Sequence, residues 1–460
     1  MRFSKIRSLA VVGALALAAV LLLYLLQTPA TTRARTVLAP LLWQTGETVV
    51  SLEFDDATAD QYAARALLSS HNVHATFYVN SGTVGSSAFH MNLSQVRGLA
   101  SSGNEIAGHT AYHENLLLLE RVDLDEVRRE ICDDRVTLLK EGFSVTDFAY
   151  PYGAFSATTE RLAQQCGYDS ARLVSGVASP GGCESCAFSE TLPPRDPYAT
   201  RTPENVLADT KLSTIESYVT EAQQHGGGWV QIVLHHICDG CGQHYAITEQ
   251  DLAALLDWLV RQPNTVVATV QQVIGGPVQP PVNGPAPRQL SGSNLLHNPS
   301  LEAGTNLTAV PDCWGTNEYG KNTPNFTRTS DAHSGSYAEH LDLTHFAGGG
   351  ASTMVRFDLG RCAPTAVPGH SYTMSAWFKS NAPVLFYIYT RDSHGVWSWW
   401  RNSTVKPASP SYAQASYTTP PLRAGASAIS IGLGLAQAGA LTVDDYSLLD
   451  RGSKLEGAQR

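Results

Sequence analysis

Positive charge is scarce in this 460-residue chain: 31 Lys and Arg stand against 41 Asp and Glu, a formal net charge of -10. A nucleic-acid partner wants a basic face, so the balance argues against that class of function. Charge of either sign is sparse too, at 16% of residues against 43% hydrophobic, which excludes a disordered chain. No internal repeat is visible. The length leaves room for two or three domains with a sizeable core. A mildly acidic protein of this kind usually handles small molecules or neutral polymers.

An uncharged apolar run, Ser8 to Leu26, follows Arg2, Lys5 and Arg7 at the start of the chain. A basic segment followed by an apolar one makes an export signal. This run is also about long enough to span a bilayer. Two readings of residues 1–40 stay open: a signal cleaved near Thr28–Ala30, or an N-terminal membrane anchor. Either keeps the positive flank inside. The remainder is then secreted or anchored at the outer face of the cytoplasmic membrane. Export also sets the redox context for the eight cysteines, an even count that suggests disulfides. Separation along the chain suggests pairing Cys132 with Cys166 and Cys313 with Cys362. Cys183, Cys186, Cys238 and Cys241 form two C-x-x-C pairs, which bridge within or between themselves or make a four-thiolate zinc site.

From Glu47 to about Val273, apolar strand patterns alternate with helical ones. Strands are expected at Thr48–Phe54, Val73–Val79, Glu105–Gly108, Thr146–Tyr150, Ser170–Ser175, Trp229–His236 and Thr265–Val270. Such alternation implies right-handed crossovers and a parallel sheet, here a distorted (β/α) barrel with about seven strands. We place this domain at 46–274, a Pro/Gly linker at 275–293, and a β-sandwich at 294–452, where short alternating runs are rich in Thr, Ser, Gly, Tyr and Trp.

The strand Thr48–Phe54 runs into two adjacent carboxylates, Asp55 and Asp56. Like charges resist sharing one site unless a cation sits there. His109 and His113 have the H-x-x-x-H spacing that, on a helical turn, puts two imidazoles on one face. With one carboxylate they make a two-His, one-Asp site with open positions for water and substrate. Each signal alone has a bland counterpart, since an Asp-Asp after a strand commonly caps a helix and paired histidines commonly lie on a surface. Their order does not. "FDD" (Phe54–Asp56), "HTAYH" (His109–His113), "YPYG" (Tyr150–Gly153) and "LHH" (Leu234–His236) follow one another at successive strand ends.

In that order these motifs resemble the polysaccharide deacetylase family, carbohydrate esterase family 4, also called the NodB homology domain. The resemblance implies a divalent metal, usually zinc, held by Asp56, His109 and His113. It implies that Asp55 is the general base, His236 the general acid, and the Tyr152 N–H an oxyanion donor and substrate contact. His236 is preferred to His235 because the family wants L-x-H, and Leu234 and His236 share a strand face. His235 then faces the outer helices or the rim. If Asp55 and Asp56 both enter the site, the strand should end or bend there. Two departures stand out. The third motif's usual arginine, which orients the catalytic aspartate, is Ala149 here, and the blurred fourth motif reads "YDSARL" (Tyr168–Leu173). We expect Arg172 to replace the missing cation from the next strand, and Asp169 to fill the acidic role. Arg195 and Tyr198, on a Pro/Arg loop, are candidate substrate contacts.

The two ends of the second region, "NLLHNPSLEAG" and "LTVDDYSLLD", resemble the galactose-binding-like sandwiches used as carbohydrate-binding modules. That resemblance implies a structural calcium at Glu302 and Asp445, with Asp444 beside it. Trp397, Trp399 and Trp400 are candidate sugar contacts, although alternation could place Trp397 and Trp399 in a core. The expected activity is N-deacetylation of an acetylated amino-sugar polymer: chitin oligomers, peptidoglycan or an N-acetylglucosamine exopolysaccharide. The rivals are an acetylxylan-type O-deacetylase and a non-catalytic cell-envelope carbohydrate-binding protein.

Overall fold

Seven strands of the first region are parallel: β1 (Thr48–Phe54), β2 (Thr76–Val79), β3 (Glu105–Gly108), β4 (Asp147–Ala149), β5 (Ser170–Gly176), β6 (Thr200–Thr202) and β7 (Gly228–Leu234). In this computed structural model, which describes residues 43–287, 294–304 and 310–453, they curl into a half-barrel. β1 to β6 pair in sequence order, and β7 closes back on β1. Between β6 and β7 the seam is bridged by a side chain, Gln231 Nε2 donating to the Arg201 carbonyl at 2.9 Å. Two short strands, β8 (His236–Ile237) and β9 (Ala246–Ile247), form a separate parallel pair, and β10 (Thr265–Val267) lies beside the start of β1.

Period-two alternation splits each strand between two environments. On β1, Val50, Leu52 and Phe54 pack outward in the main apolar cluster with the surrounding helices, while Glu53 turns inward to Arg172. The helix Leu124–Lys140 starts where the Asp123 side chain accepts from the Glu126 N–H, and it carries Asp125 and Glu126 at its positive end. Of the Pro/Gly linker, the described residues 275–287 lie on this helix. Arg135 donates to the Gln279 carbonyl at 2.9 Å, and the Gly284 N–H to Asp133 at 2.7 Å.

The second region is an antiparallel β-sandwich of β11 (Trp314–Thr329), β12 (Ala338–Val355), β13 (His370–Ser380), β14 (Val384–Arg391), β15 (Trp397–Asn402), β16 (Ser409–Thr418), β17 (Ala428–Leu435) and β18 (Gly439–Ser453). β12 pairs with β18 through Glu339–Leu343 and with β17 through Ala351–Ser352, so one strand serves both halves. Between these stretches Gly349, at φ 102, lies so close to the Tyr319 carbonyl that a Cβ would clash. Residues Pro40–Arg460 cluster as one compact unit.

All eight cysteines pair: Cys132–Cys166, Cys183–Cys186, Cys238–Cys241 and Cys313–Cys362. The C-x-x-C pairs close within themselves, so no four-thiolate site forms. The apolar run at residues 8–26 lies outside the described residues, among which no helix is long and apolar enough to cross a membrane.

Candidate metal and catalytic centre

β1 ends at Phe54, and Asp56 and Ala57 follow with φ of 77° and 51°. This left-handed turn stops the alternation that would send Asp55 and Asp56 to opposite faces. Both carboxylates therefore face the carboxyl ends of the strands. His109 follows β3 directly, and His113 lies four residues on, after a turn with Thr110 at φ 64. The Nε2 atoms of His109 and His113 approach Asp56 Oδ1 at 3.4 and 3.1 Å.

Three donor atoms, one each from Asp56, His109 and His113, lie within 4.8 Å of one another. Two observations test whether a divalent cation fits among them. Asp56 Oδ1 is buried without a hydrogen-bond partner. His109 Nδ1 lies 2.8 Å from the Ala149 carbonyl, which fixes the proton there and leaves Nε2 as a free lone pair. Two imidazole nitrogens and one carboxylate suit such an ion with positions left open. The electrostatics agree. Burial works to raise Asp56, yet the neighbouring His109 and His113 imidazoles hold it well below the usual carboxylate range. Burial, with His109 beside it, pushes His113 down to about 4, so its ring is neutral at physiological pH.

Asp55 is buried and held by Arg172, whose Nη2 donates to Oδ1 at 2.5 Å and Oδ2 at 2.7 Å. The Arg172 Nε lies 2.8 Å from Glu53 Oε2, and its guanidinium stands 4.8 Å from the Tyr78 ring centre. Burial raises the Asp55 carboxyl, and the Arg172 charge and nearby imidazoles more than reverse it. Burial pushes Glu53 up to about 8. The swap of cation between strands has a simple geometric basis. Ala149 and Arg172 are register partners on β4 and β5, so the guanidinium enters from the next strand over a side chain small enough to admit it.

His235, rather than His236, turns toward Asp55. Its Nε2 lies 4.0 Å from Asp55 Oδ2, whereas His236 Nδ1 meets Asp60 Oδ2 at 2.7 Å. Leu234 lies on the outward face, where it joins Val230 and Ile232 in the helix-packed core, so the inward position falls to its neighbour His235. Phe54 pairs with Leu234 in register and the Asp55 N–H donates to the Leu234 carbonyl, which sets His235 beside Asp55. The inner face was visible in the sequence as Trp229, Gln231, Val233 and His235. Burial lowers the pKa of His235, and its Nδ1 has no hydrogen-bond partner.

Asp169 does not support a catalytic histidine. It precedes β5, its N–H donates to the Thr146 carbonyl ahead of β4, and it therefore lies at the amino ends of the strands. Arg195 and Tyr198 are at that end too, because the parallel strand β6 starts after them. The Tyr198 hydroxyl donates to the Tyr168 carbonyl, and Arg195 is exposed. Tyr152 is at the rim, at φ 60 and 66% exposed, with its ring 4.5 Å from that of His113.

In the sandwich, Trp397 is buried against Phe357 and is unavailable to a ligand, while Trp399 is 57% exposed and pairs across the strands with Tyr389. Trp400 is partly buried, with the Arg401 guanidinium 5.5 Å from its ring centre. Glu302 accepts from the Ser336 and Tyr337 N–H groups, and Asp445 contacts His333 and Ser334. Asp444 accepts from the His333 and Ser334 N–H groups. These three carboxylates thus hold the loop 333–337 through N–H and O–H donors.

Residues 43–171 match the family described as Polysaccharide deacetylase. Among solved structures, the peptidoglycan deacetylase PdaC of Bacillus subtilis is 19% identical, over 49% of this chain and 90% of that one, with a TM-score of 0.32. The Xyl-CE4 domain of a multidomain xylanase from the hindgut metagenome of Trinervitermes trinervoides is 20% identical, over 49% and 89%, with a TM-score of 0.32. A xylan-binding domain of Paenibacillus barcinonensis is 14% identical, over 34% and 92%, with a TM-score of 0.24. A search of curated proteins finds no match.

Proposed function

We propose, from the premise that residues 43–171 belong to the polysaccharide deacetylase family, that the chain is an exported metal-dependent deacetylase removing N-acetyl groups from an amino-sugar polymer. The observation that carries this is the convergence of Asp56, His109 and His113 beside an Asp55 carboxylate clamped by Arg172. Those three residues would hold zinc or a similar ion, which when bound polarises the acetyl carbonyl and lowers the pKa of water. Asp55, kept ionised by Arg172, takes the proton of the attacking water. His235, across from it, carries a proton to the leaving amine, the role the motif alone would give to His236. The Tyr152 N–H, on the turn beside His113, is the candidate donor to the developing oxyanion.

The four disulfides and the basic-then-apolar start of the chain support export. We assign the catalytic domain to 46–274 and the accessory sandwich to 294–452, and Trp399 with Tyr389 is the aromatic pair we assign to sugar stacking there. Acetate release from N-acetylglucosamine oligomers, measured with zinc, with chelator, and for Asp56→Ala and Asp55→Asn, tests the reading. Zinc-dependent release abolished by both substitutions is expected. Metal binding without release from amino sugars or acetylxylan would refute catalysis.

A further inference from the structure

The turn that carries His113 is gripped from the sandwich. Thr110 and His113 both have left-handed backbone, at φ 64 and 58. Such conformations are costly for residues other than glycine and persist where the surroundings over-determine them. Part of that constraint is local: the His113 N–H donates to Thr110 Oγ1, and the Tyr112 N–H to Glu130 Oε2. The rest comes from far along the chain. On one side of His113, the Tyr112 hydroxyl donates to the Gly395 carbonyl and its ring packs against the sandwich core. On the other, Glu114 accepts from Arg356 Nη2 at 2.5 Å. Nearby, the Leu359 N–H donates to Glu126 Oε1 at 2.8 Å.

The sandwich loop supplying these contacts is itself stiff. The Arg356 N–H donates to the Cys313 carbonyl, and Cys313 is bridged to Cys362. The Asp358 carboxylate accepts from the N–H groups of Gly360, Cys362 and Ala363, while Arg391 donates to the Asp358 carbonyl. A stiff loop bonded to both neighbours of one candidate ligand is placed to control where that ligand sits.

We propose that the sandwich braces the metal centre: Arg356 and Gly395, acting through Glu114 and Tyr112, are positioning residues that hold the His113 turn in a geometry ready for a divalent cation. This rests on the metal reading above. The test uses the full-length chain with Arg356→Ala, Tyr112→Phe, and the charge-swapped double variant Glu114→Arg with Arg356→Glu. Two quantities are measured: zinc affinity against a chelating dye, and hydrogen exchange of residues 109–115 in the metal-free chain. Outer contacts to metal ligands are worth about 10–100-fold in affinity, and we expect about 10-fold weaker zinc binding in Arg356→Ala. Faster exchange of the turn should accompany it, and the swapped pair should restore both. Wild-type affinity and unchanged exchange in the two single variants would overturn the brace. So would a loss that the swapped pair leaves unrepaired alongside a lowered thermal midpoint. If the wild-type chain binds no zinc, the metal reading falls, and the exchange comparison alone then decides the brace.

Discussion

Arg172→Met is the perturbation that tests the site most directly. Burial pushes Glu53 up to about 8, so at neutral pH Glu53 is protonated and the Arg172 charge is answered by Asp55 alone. Both members of that pair are buried, Asp55 at 3% and Arg172 at 1% exposure. At an effective dielectric near 20, two unit charges 4 Å apart interact by about 4 kcal/mol. Removing one partner of a buried pair destabilises by about 3–5 kcal/mol unless the other is neutralised. Asp55 escapes that cost by taking up a proton. Its pKa, now held below the usual range chiefly by Arg172 against burial, rises when the guanidinium goes. A protonated Asp55 accepts nothing from water, and general-base assistance is worth about 100- to 10,000-fold. We therefore expect kcat for acetate release to fall by at least about 100-fold at neutral pH. The sign of the pH effect is fixed: the acidic limb of the kcat/KM profile moves upward, and part of the loss returns at alkaline pH. Arg172→Lys should fall between, because a single ammonium cannot bridge Asp55 and Glu53 as the planar fork does. Turnover near wild type with an unmoved acidic limb would refute the argument.

Two further outcomes are specific. His235→Ala should lower kcat by about 100-fold or more, whereas His236→Ala, which loses its bond to Asp60 and its edge contact with Phe89, should cost under about 10-fold. Steady-state kinetics on the two variants side by side would sink the assignment if the order were reversed. Removing the Cys132–Cys166 bridge, which closes a 34-residue separation, should destabilise by about 3–4 kcal/mol. Denaturant unfolding of the Cys132→Ala, Cys166→Ala double variant checks this, and an unchanged midpoint would contradict it.

The elements that wear their environment on one strand were legible in the sequence. β1 and β3 fall where their apolar runs end, and Arg172 was identified because a missing arginine at Ala149 left Asp55 needing a cation. What escaped depended on pairing. β6 has three residues after a proline-rich loop and shows no periodicity of its own, so Arg195 and Tyr198 could not be assigned to an end of the barrel. Choosing His236 over His235 required knowing which face of β7 points inward, and that is set by the register with β1. The segment 275–287 has the composition of a free linker, yet backbone carbonyls and N–H groups, which composition cannot report, fasten it to the helix below. Trp397 and Trp399 share strand spacing, and Phe357 covers only the first.

The Asp55–Arg172 contact joins residues 117 positions apart. During folding, β1 can find β2 early, but its terminal carboxylate stays uncompensated until β5 has docked three strands further round. Loop closure over such a distance is slow relative to local pairing. Completion of the curled sheet and clamping of the Asp55 carboxylate are thus one late event. A chain folded only as far as β4 therefore leaves Asp55 without its cation, however complete its first four strands.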